Sequence, residues 1–241
     1  MNLIYLDEVH STNQYLHELL LREKCEEGTC VQTRFQTAGR GQQGNSWESE
    51  AGKNLTFSLV LYPEFLSAAE QFILSQMVSL GIKEALDHYM EGVSVKWPND
   101  IYWHEKKIAG ILIENSLMGS HIEHTVIGIG LNVNQEKFIS NAPNPISMKQ
   151  ISNKEFNLEA LLNEVLQSIF TQYLKLIQDE ADDIRFRYLN SLYRRDGFHK
   201  YADANGEFMA RIENVSKTGR LCLITDSGEQ REYYFKEVSF V

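Results

Sequence analysis

The sequence has few of the residues that cross-link small or secreted domains, with three cysteines and four prolines among 241 residues. An odd cysteine count, with Cys25 and Cys30 far from any other cluster of Cys or His, favours reduced thiols over disulfides or a zinc site. The chain also lacks a low-complexity tract, which argues against extended disorder. We therefore expect an ordered globular protein whose core needs no covalent or metal cross-links.

Long hydrophobic runs and an excess of positive charge are missing as well. Residues 1–10 contain only four consecutive apolar residues and do not predict a signal peptide, and no stretch approaches the roughly 18 apolar residues of a membrane span. The formal net charge of −10 argues against binding to nucleic-acid backbones, for which basic residues supply most of the affinity. We expect a cytoplasmic protein that binds neither membranes nor nucleic acids.

The pattern of apolar residues predicts a largely antiparallel sheet. Residues 55–62 alternate as a strand does, with Thr56 and Ser58 on the face opposite the large apolar side chains. Short β-prone runs separated by turns follow between residues 93 and 129, which is typical of a meander.

Helices and a second, smaller unit complete the predicted α+β fold. Apolar residues with helical spacing at 67–89 and 158–177 predict helices that back the sheet. Turn pairs after about Gly197 separate short β-prone runs, as in a small β-barrel. We expect one domain over residues 1–190 and a second over residues 191–241.

A polar, glycine-rich segment lies between the first helix and the strand at residues 55–62. Its composition over residues 36–47 predicts a loop. Gly39 and Gly41 allow a close approach of the backbone, and Arg40 offers a planar, permanently charged group to a carboxylate or phosphate. An ordinary surface loop has the same composition, so both interpretations stay open from the motif alone.

Residues 96–100 end a predicted strand with Lys96 and present Asn99 and Asp100 after a proline. An amide and a carboxylate suit ribose or Mg²⁺, and one Asp with a neighbouring Asn suffices for an ion that a nucleotide carries. A simple β-turn beside a surface lysine is the alternative.

Two further segments place small residues beside polar ones. Lys106 and Lys107 begin a strand and point to opposite faces, so only one can face a cleft. Gly110 leaves room there for a ligand, although a solvated hairpin corner is the alternative. Residues 128–134 contain two glycines and two asparagines, which indicates either close approach to a ligand or a bulge at the sheet edge.

In combination, the order and spacing of these motifs resemble the biotin protein ligases. The resemblance covers residues 3–135 with high specificity and the small C-terminal barrel more loosely. It rests on Trp47 and on five segments in register: Ser-Thr-Asn at 11–13, Gln-Thr-Ala-Gly-Arg-Gly at 36–41, Lys-Trp-Pro-Asn-Asp at 96–100, Lys-Ile-Ala-Gly-Ile at 107–111 and Gly-Ile-Gly-Leu-Asn at 128–132.

The resemblance implies a role for each matching residue. The positions that bind biotin are Ser11, Thr12, Asn13, Gln36, Gly39, Arg40, Gly41, Gln42, Lys107 and Gly110. The positions that bind the nucleotide are Arg40, Trp47, Lys96, Asn99 and Asn132, with Trp47 as the ring on which adenine stacks. Lys107, Arg40 and Lys96 would be catalytic, and Asp100 would contact Mg²⁺.

The resemblance also implies an activity and a fold. Members of this family use ATP and Mg²⁺ to convert biotin to biotinyl-5′-AMP, releasing pyrophosphate, and transfer biotin to a lysine of a biotin carboxyl carrier protein. Their catalytic domain is a mixed sheet backed by helices, similar to that of class II synthetases, and carries an SH3-like barrel at its C-terminus. Some pair as homodimers through an exposed sheet edge.

Two departures from the family pattern stand out. Gln42 occupies a place where many members carry a second Arg, which is associated with retention of the adenylate. The residues before Ser11 are too few for the winged-helix domain of the members that regulate transcription, so we expect a ligase only.

Two other functions compete with this interpretation. A lipoate or octanoate protein ligase shares the architecture and a lysine before a small-residue strand, but typically has Arg-Arg before Gly-Gly-Gly, which this sequence lacks. A catalytically silent protein that binds peptides through its terminal barrel is the second. The presence of Arg40, Asp100 and Lys107 together argues against the silent protein.

Overall fold

The computed structural model describes residues 2–139 and 144–241, and within them the chain forms two β-sheets and five α-helices. The larger sheet contains β1 (Leu3–Val9), β2 (Cys30–Gln36), β3 (Leu55–Leu61), β4 (Val93–Lys96), β5 (Asp100–Trp103), β6 (Lys106–Met118) and β7 (His121–Leu131). The smaller sheet contains β8 (His199–Asp203), β9 (Gly206–Val215), β10 (Leu221–Thr225), β11 (Gln230–Tyr233) and β12 (Ser239–Phe240). The helices are α1 (Thr12–Arg22), α2 (Phe72–Asp87), α3 (Met148–Ser152), α4 (Leu158–Ile177) and α5 (Ala181–Asn190).

The larger sheet has the strand order β1-β2-β3-β7-β6-β5-β4. Only β1 and β2 are parallel among its described pairings, so the predicted mixed, largely antiparallel sheet is confirmed. All residues of β3 are buried, because this strand lies inside the sheet and is covered on both faces.

Helices cover the two faces of this sheet unequally. On one face, Leu16 of α1 packs with Val60 and Val126. On the other face, α2 and α4 pack together over a large apolar core. They approach closely at Gly81, where an added Cβ would lie 2.7 Å from the Cα of Ile169. On the first face, α1 has only 11 residues and leaves part of the sheet uncovered beside its own N-terminus.

The smaller sheet is antiparallel, with the order β11-β10-β9-β8-β12. In the described part of the chain its edge strands do not pair with each other, so the expected closed SH3-like barrel is not formed. The last strand has two residues, which offer too few backbone groups to close a barrel. The sheet contacts the larger one at Trp97, whose Nε1 donates a 2.9 Å hydrogen bond to the carbonyl of Gly219.

The boundaries of the elements differ in detail from the sequence predictions. The helix expected over 67–89 is a 3₁₀ turn, Ala68–Glu70, followed by α2. Ser67 and Gln71 are the N-cap residues of the 3₁₀ turn and of α2. Among the residues that the structure describes, no helix is both long and apolar enough to cross a membrane.

Candidate active site

A pocket lies on the face of the larger sheet that α1 covers only in part. It is lined by residues of the N-terminus of α1, of the 36–47 segment, of β3, of the turn before β5, of β5, β6 and β7, and by one residue after β11. These are Ser11, Thr12, Asn13, Gln36, Arg40, Gly41, Gln42, Asn45, Ser46, Trp47, Thr56, Asn99, Asp100, Lys107, Gly110, Ile111, Leu112, Gly128, Ile129, Gly130 and Phe235.

The floor of the pocket is formed by strand residues with small side chains. Gly130 pairs with Thr56 on one side and with Gly110 on the other. The indole of Trp47 lies on this row, since a Cβ added at Gly130 would be 2.2 Å from its Cε2 atom and one at Gly110 would be 3.0 Å from its Cζ3 atom. The glycines therefore admit an aromatic ring directly onto the sheet.

The Ser-Thr-Asn segment forms a polar wall at the start of α1. Ser11 is the N-cap and has extended backbone, but its side chain makes no capping hydrogen bond within the described residues. The backbone N–H and the hydroxyl of Thr12 lie 2.8 and 3.1 Å from Oε1 of Gln36. Ser11, Thr12 and Asn13 are each less than 5% exposed, so this wall is preorganised.

The 36–47 segment crosses the mouth of the pocket. It contains a one-turn 3₁₀ helix, Gln42–Gly44, which the prediction of a loop over this segment did not include. Arg40 is exposed, and its Nη2 donates a 2.8 Å hydrogen bond to Oε1 of Gln14. Gly39 lies outside the lining; an added Cβ there would be 2.6 Å from the carbonyl oxygen of Trp47. Its role is to let the two ends of the segment touch.

A lysine and a carboxylate face each other at the end of the pocket formed by β5 and β6. Nζ of Lys107 lies 2.7 Å from Oδ1 of Asp100 and 5.6 Å from the centre of the Trp47 ring. Asn99 donates a 2.6 Å hydrogen bond from Nδ2 to the carbonyl of Ile111, which fixes the turn. As predicted, only one of the two adjacent lysines faces the cleft, because Lys106 is exposed.

Two other residues expected at the site lie outside the pocket lining. Nζ of Lys96 donates a 3.0 Å hydrogen bond to the Tyr102 hydroxyl and lies over the rings of Tyr102 and Phe240. Burial is the main cause that lowers the pKa of Lys96, and the nearby carboxylate of Asp100 opposes it. Asn132 is 2% exposed and donates from Nδ2 to the carbonyl of Ile146.

Three buried polar atoms in this region have no hydrogen-bond partner among residues 2–139 and 144–241. They are Oε1 of Gln42, Nε1 of Trp47 and Oδ1 of Asn132. A buried polar group without a partner is costly, and a ligand is one common source of the missing bond.

Several residues of the site were not predicted. Ser58 and Glu114 contact Asn13, and Thr56 and Leu112 share their face of the sheet. The alternation within residues 55–62 had already placed Thr56 and Ser58 on one face, so a signal existed. Phe235 is brought to the pocket by the smaller sheet, edge-on to Trp97 with ring centres 6.4 Å apart, and no local pattern indicates it.

The donor set fits a metal ion only if a ligand shares it. Within the described residues no group of three or more His, Cys, Asp or Glu could hold a metal ion. Asp100 and the adjacent Asn99 both line the pocket. One carboxylate beside phosphate oxygens is a usual environment for Mg²⁺, so these residues suit an ion that arrives with a nucleotide.

Comparisons with known proteins agree with this geometry. Residues 5–132 match the profile of the Biotin/lipoate A/B protein ligase family. The chain is 29% identical over 240 residues to the bifunctional ligase/repressor BirA of Bacillus subtilis, covering 96% of this chain and 72% of that protein. It is 38% identical over 108 residues to the biotin--[acetyl-CoA-carboxylase] ligase of Paracoccus denitrificans, covering 43% of each. The structure of a biotin protein ligase from Aquifex aeolicus in complex with biotin and ATP superimposes with a TM-score of 0.81 and 29% identity, covering 100% of this chain and 98% of that one.

Proposed function

The chain belongs to the biotin/lipoate A/B protein ligase family, and we propose that it is an ATP-dependent biotin protein ligase. It activates biotin as biotinyl-5′-AMP with release of pyrophosphate and then transfers biotin to a lysine of an acceptor protein. The relatives from Bacillus and Paracoccus are named as ligases, and the superimposed Aquifex structure holds biotin and ATP.

One observation supports this activity more than any other. The polar wall at Thr12 and Asn13, the indole of Trp47 and the Lys107–Asp100 pair face one pocket. Such a pocket can hold a polar ring at one end and a carboxylate beside a phosphate at the other. The reaction needs both ends, because the biotin carboxylate must reach the α-phosphorus of ATP.

The first half-reaction requires that negative charge be offset. An oxygen of the biotin carboxylate attacks the α-phosphorus, the bond to the bridging oxygen breaks, and pyrophosphate leaves. Lys107 and Arg40 neutralise the carboxylate and the α-phosphate, and Lys96 contributes positive charge from the end of β4, where it pairs with Asp100. Asp100 and Asn99 would hold Mg²⁺ that arrives with ATP, and the ion would supply Lewis-acid stabilisation of negative charge on the phosphates.

We assign the binding roles by the resemblance to the family, supported by position in the pocket for every residue except Asn132. Ser11, Thr12, Asn13 and Gln36 hold biotin, together with the backbone near Gly41 and Gly110. Trp47 stacks on adenine, and Asn132 contacts it with its unpaired oxygen. In the second half-reaction the acceptor amine attacks the carbonyl carbon of the mixed anhydride and AMP leaves, while the segment around Arg40 excludes water.

The acceptor is a biotin carboxyl carrier protein, since that is the substrate of a biotin protein ligase. We further propose that residues 1–190 form the catalytic domain and 191–241 the second domain. Homodimerisation is supported by β6, whose residues after Gly110 have no second neighbouring strand in the described part of the chain. A cytoplasmic location is supported by the need for ATP, and the absence of nucleic-acid binding stays a prediction.

A substrate comparison tests the proposed activity against the lipoate alternative. The purified protein is given ATP and Mg²⁺ with biotin, with lipoate or with neither, and pyrophosphate release is measured. We expect pyrophosphate release only in the mixture that contains biotin. Release that depends on lipoate would favour the lipoate ligase, and no release with either acid would overturn the assignment of a ligase.

A further inference from the structure

A second cavity, of about 470 Å³, lies on the face of the larger sheet opposite the candidate active site. Its walls are β1, β2, the segment before β3 and the start of α4, and its volume is in the range of small-molecule sites. Gln32 of β2 lines this cavity and pairs with Phe57, whose side chain lies in the core under α2 and α4. Thr56, which lines the active-site pocket, projects from the other face, because successive residues of a strand alternate. The sheet therefore separates the two pockets.

Exposed apolar side chains form part of the wall of the second cavity. Leu3 and Tyr5 belong to β1, which is an edge strand of the sheet, and they are 40% and 54% exposed. Leu158, the first residue of α4, also lines the cavity. A ligand with an apolar group would gain free energy by covering these side chains.

An unpaired carboxamide lies among these apolar groups. Gln32 is 9% exposed, and its side chain makes no hydrogen bond to any described residue. The backbone of β2 is covered by β1 and β3, so Gln32 reaches the cavity through its side chain. Another buried amide of the lining is satisfied, since Asn54 bonds to Gln135 and to the N–H of Val133. A carboxamide without partners is costly, and a ligand that carries an amide supplies both a donor and an acceptor.

Arg34 provides positive charge at the margin of the cavity. Its Nη1 lies 3.8 Å from Oδ1 of Asp7, beyond hydrogen-bond distance, and the two side chains are 57% and 86% exposed. A Cβ added at Gly52 would lie 3.4 Å from Nε of Arg34, so the guanidinium rests beside this glycine. The N–H groups of Arg34 are therefore available to a carboxylate, which binds a guanidinium through two parallel hydrogen bonds.

The charges around the cavity favour a ligand with a single negative charge. Arg34 is the only cation among the lining residues that the structure describes, and Glu159 lines the same cavity. With Asp7 nearby as well, a second negative charge on the ligand would be repelled. Gln32 and Arg34 lie two residues apart on one face of β2, which separates their Cα atoms by about 6.5 Å. This spacing suits an amide that lies directly next to a carboxylate.

We propose that the second cavity binds a small monocarboxylic acid whose amide group lies next to its carboxylate, as in an N-acylated amino acid with an apolar side chain. Arg34 binds the carboxylate, and the carboxamide of Gln32 forms a hydrogen bond with the amide. Leu3, Tyr5 and Leu158 cover the apolar side chain. The site is distinct from the pocket assigned to biotin and ATP, and the inference does not rest on the proposed function.

The test uses N-acetyl-L-leucine as the probe. It is titrated into the ¹⁵N-labelled protein, and binding is followed by the chemical shifts of assigned backbone amides. We expect saturable binding with a Kd on the order of 1 mM, as for a ligand of this size, and shifts in β1, β2 and the first turn of α4. N-acetyl-L-leucinamide, which lacks the carboxylate, and L-leucine, which lacks the amide, should bind at least about 5-fold more weakly.

Single substitutions assign the two polar contacts. Arg34→Met should weaken binding of N-acetyl-L-leucine about 10-fold or more, and Gln32→Leu about 5- to 10-fold. Gln32→Leu should melt no lower than the unmodified protein, since the amide that it removes has no partner. Arg22→Met is the matched control and should leave the affinity unchanged, because this exposed arginine of α1 also lies near one carboxylate but does not line the cavity. Unchanged affinity in Arg34→Met and Gln32→Leu would overturn the inference.

The tripeptide Gly-Gly-Leu carries the same amide and carboxylate at its C-terminus and distinguishes two sources of this chemistry. Binding at least about 10-fold tighter than that of N-acetyl-L-leucine would support the site and identify a peptide C-terminus as its ligand. Weaker binding of the tripeptide would support a free N-acylated amino acid. Absence of saturable binding of both probes up to about 10 mM, or shifts confined to the candidate active site, would contradict the proposed site.

Discussion

Nζ of Lys107 and Oδ1 of Asp100 lie 2.7 Å apart, on adjacent strands of one hairpin and about a quarter exposed to solvent. In this arrangement the carboxylate holds the lysine at the edge of the pocket. Both groups have further partners in the proposed reaction, since Mg²⁺ would take the carboxylate and the biotin carboxylate and α-phosphate would take the ammonium. The ion pair thus keeps the two charges that we propose act in the reaction in position before the substrates arrive.

The first prediction concerns this lysine. Lys107→Ala removes the cation that offsets charge on the carboxylate and the α-phosphate, so biotin-dependent pyrophosphate release should fall by at least about 100-fold. Lys106→Ala is the matched control, because the adjacent side chain points away from the pocket and is exposed. Melting curves of both variants check that they are folded. A Lys107→Ala protein with normal release would remove this residue from the mechanism.

The second prediction concerns the glycine under the indole. A Cβ at Gly130 would lie 2.2 and 2.5 Å from Cε2 and Cζ2 of Trp47, so Gly130→Ala must displace the ring. If adenine stacks on that ring, KM for ATP should rise by about 10-fold or more. In a Trp47→Ala background, Gly130→Ala should have little further effect on KM for ATP. Equal effects in the two backgrounds would contradict the role of Trp47.

The third prediction concerns the position at which the chain departs from its family. Oε1 of Gln42 lines the pocket and, among the described residues, has no hydrogen-bond partner. Gln42→Arg should add a charge-assisted hydrogen bond to the adenylate and slow its release about 10-fold or more. The half-life of the isolated enzyme–adenylate complex measures this directly. Faster release from Gln42→Arg, or an unchanged half-life, would show that this position does not control retention.

The fourth prediction concerns the pH dependence of stability. The pKa of Lys96 is lowered, chiefly by burial, so this group binds fewer protons in the folded than in the unfolded protein. The charged form therefore reduces stability below the lowered pKa, and this cost disappears as pH rises through that pKa towards the unfolded value. Lys96→Met should be more stable than the unmodified protein near neutral pH, and the difference should shrink in alkaline solution.

Urea unfolding across that pH range measures the effect, with Lys106→Met as the exposed control. The Lys96→Met protein should also use ATP poorly, because it lacks a cation near the phosphates. A loss of stability at neutral pH would show that the bond to Tyr102 and the ring contacts outweigh the cost of burial.

The regular elements and most of the pocket could be predicted from the sequence, for different reasons. The period of the apolar residues is a local property, and it indicated the central strand and the long helix α4. The lining residues came from motifs that are weak singly and informative in combination. Local patterns were less reliable for details: Ser11 and Gln14 resemble a capping box, yet the amide of Gln14 bonds to Arg40 and Glu18 instead.

What could not be predicted depends on packing between distant segments. Glu114 gains its contact only because folding brings Asn13, at the start of α1, beside β6, and Phe235 reaches the pocket only because the smaller sheet docks at Trp97. The prediction of a closed barrel was wrong for a similar reason. Closure depends on the hydrogen bonds that a two-residue edge strand can make, and not on the apolar pattern of the smaller sheet. The spacing of apolar residues along the sequence carries no information on these three features.

The proposed transfer of biotin to an acceptor protein is tested by the intact mass of that protein. A purified biotin carboxyl carrier domain is incubated with the protein, ATP, Mg²⁺ and biotin, and its intact mass is determined. We expect an increase by one biotinyl group on a single lysine, which disappears when ATP or biotin is omitted and is not replaced by lipoylation when lipoate is supplied. An unchanged mass with biotin, or modification by lipoate instead, would contradict it.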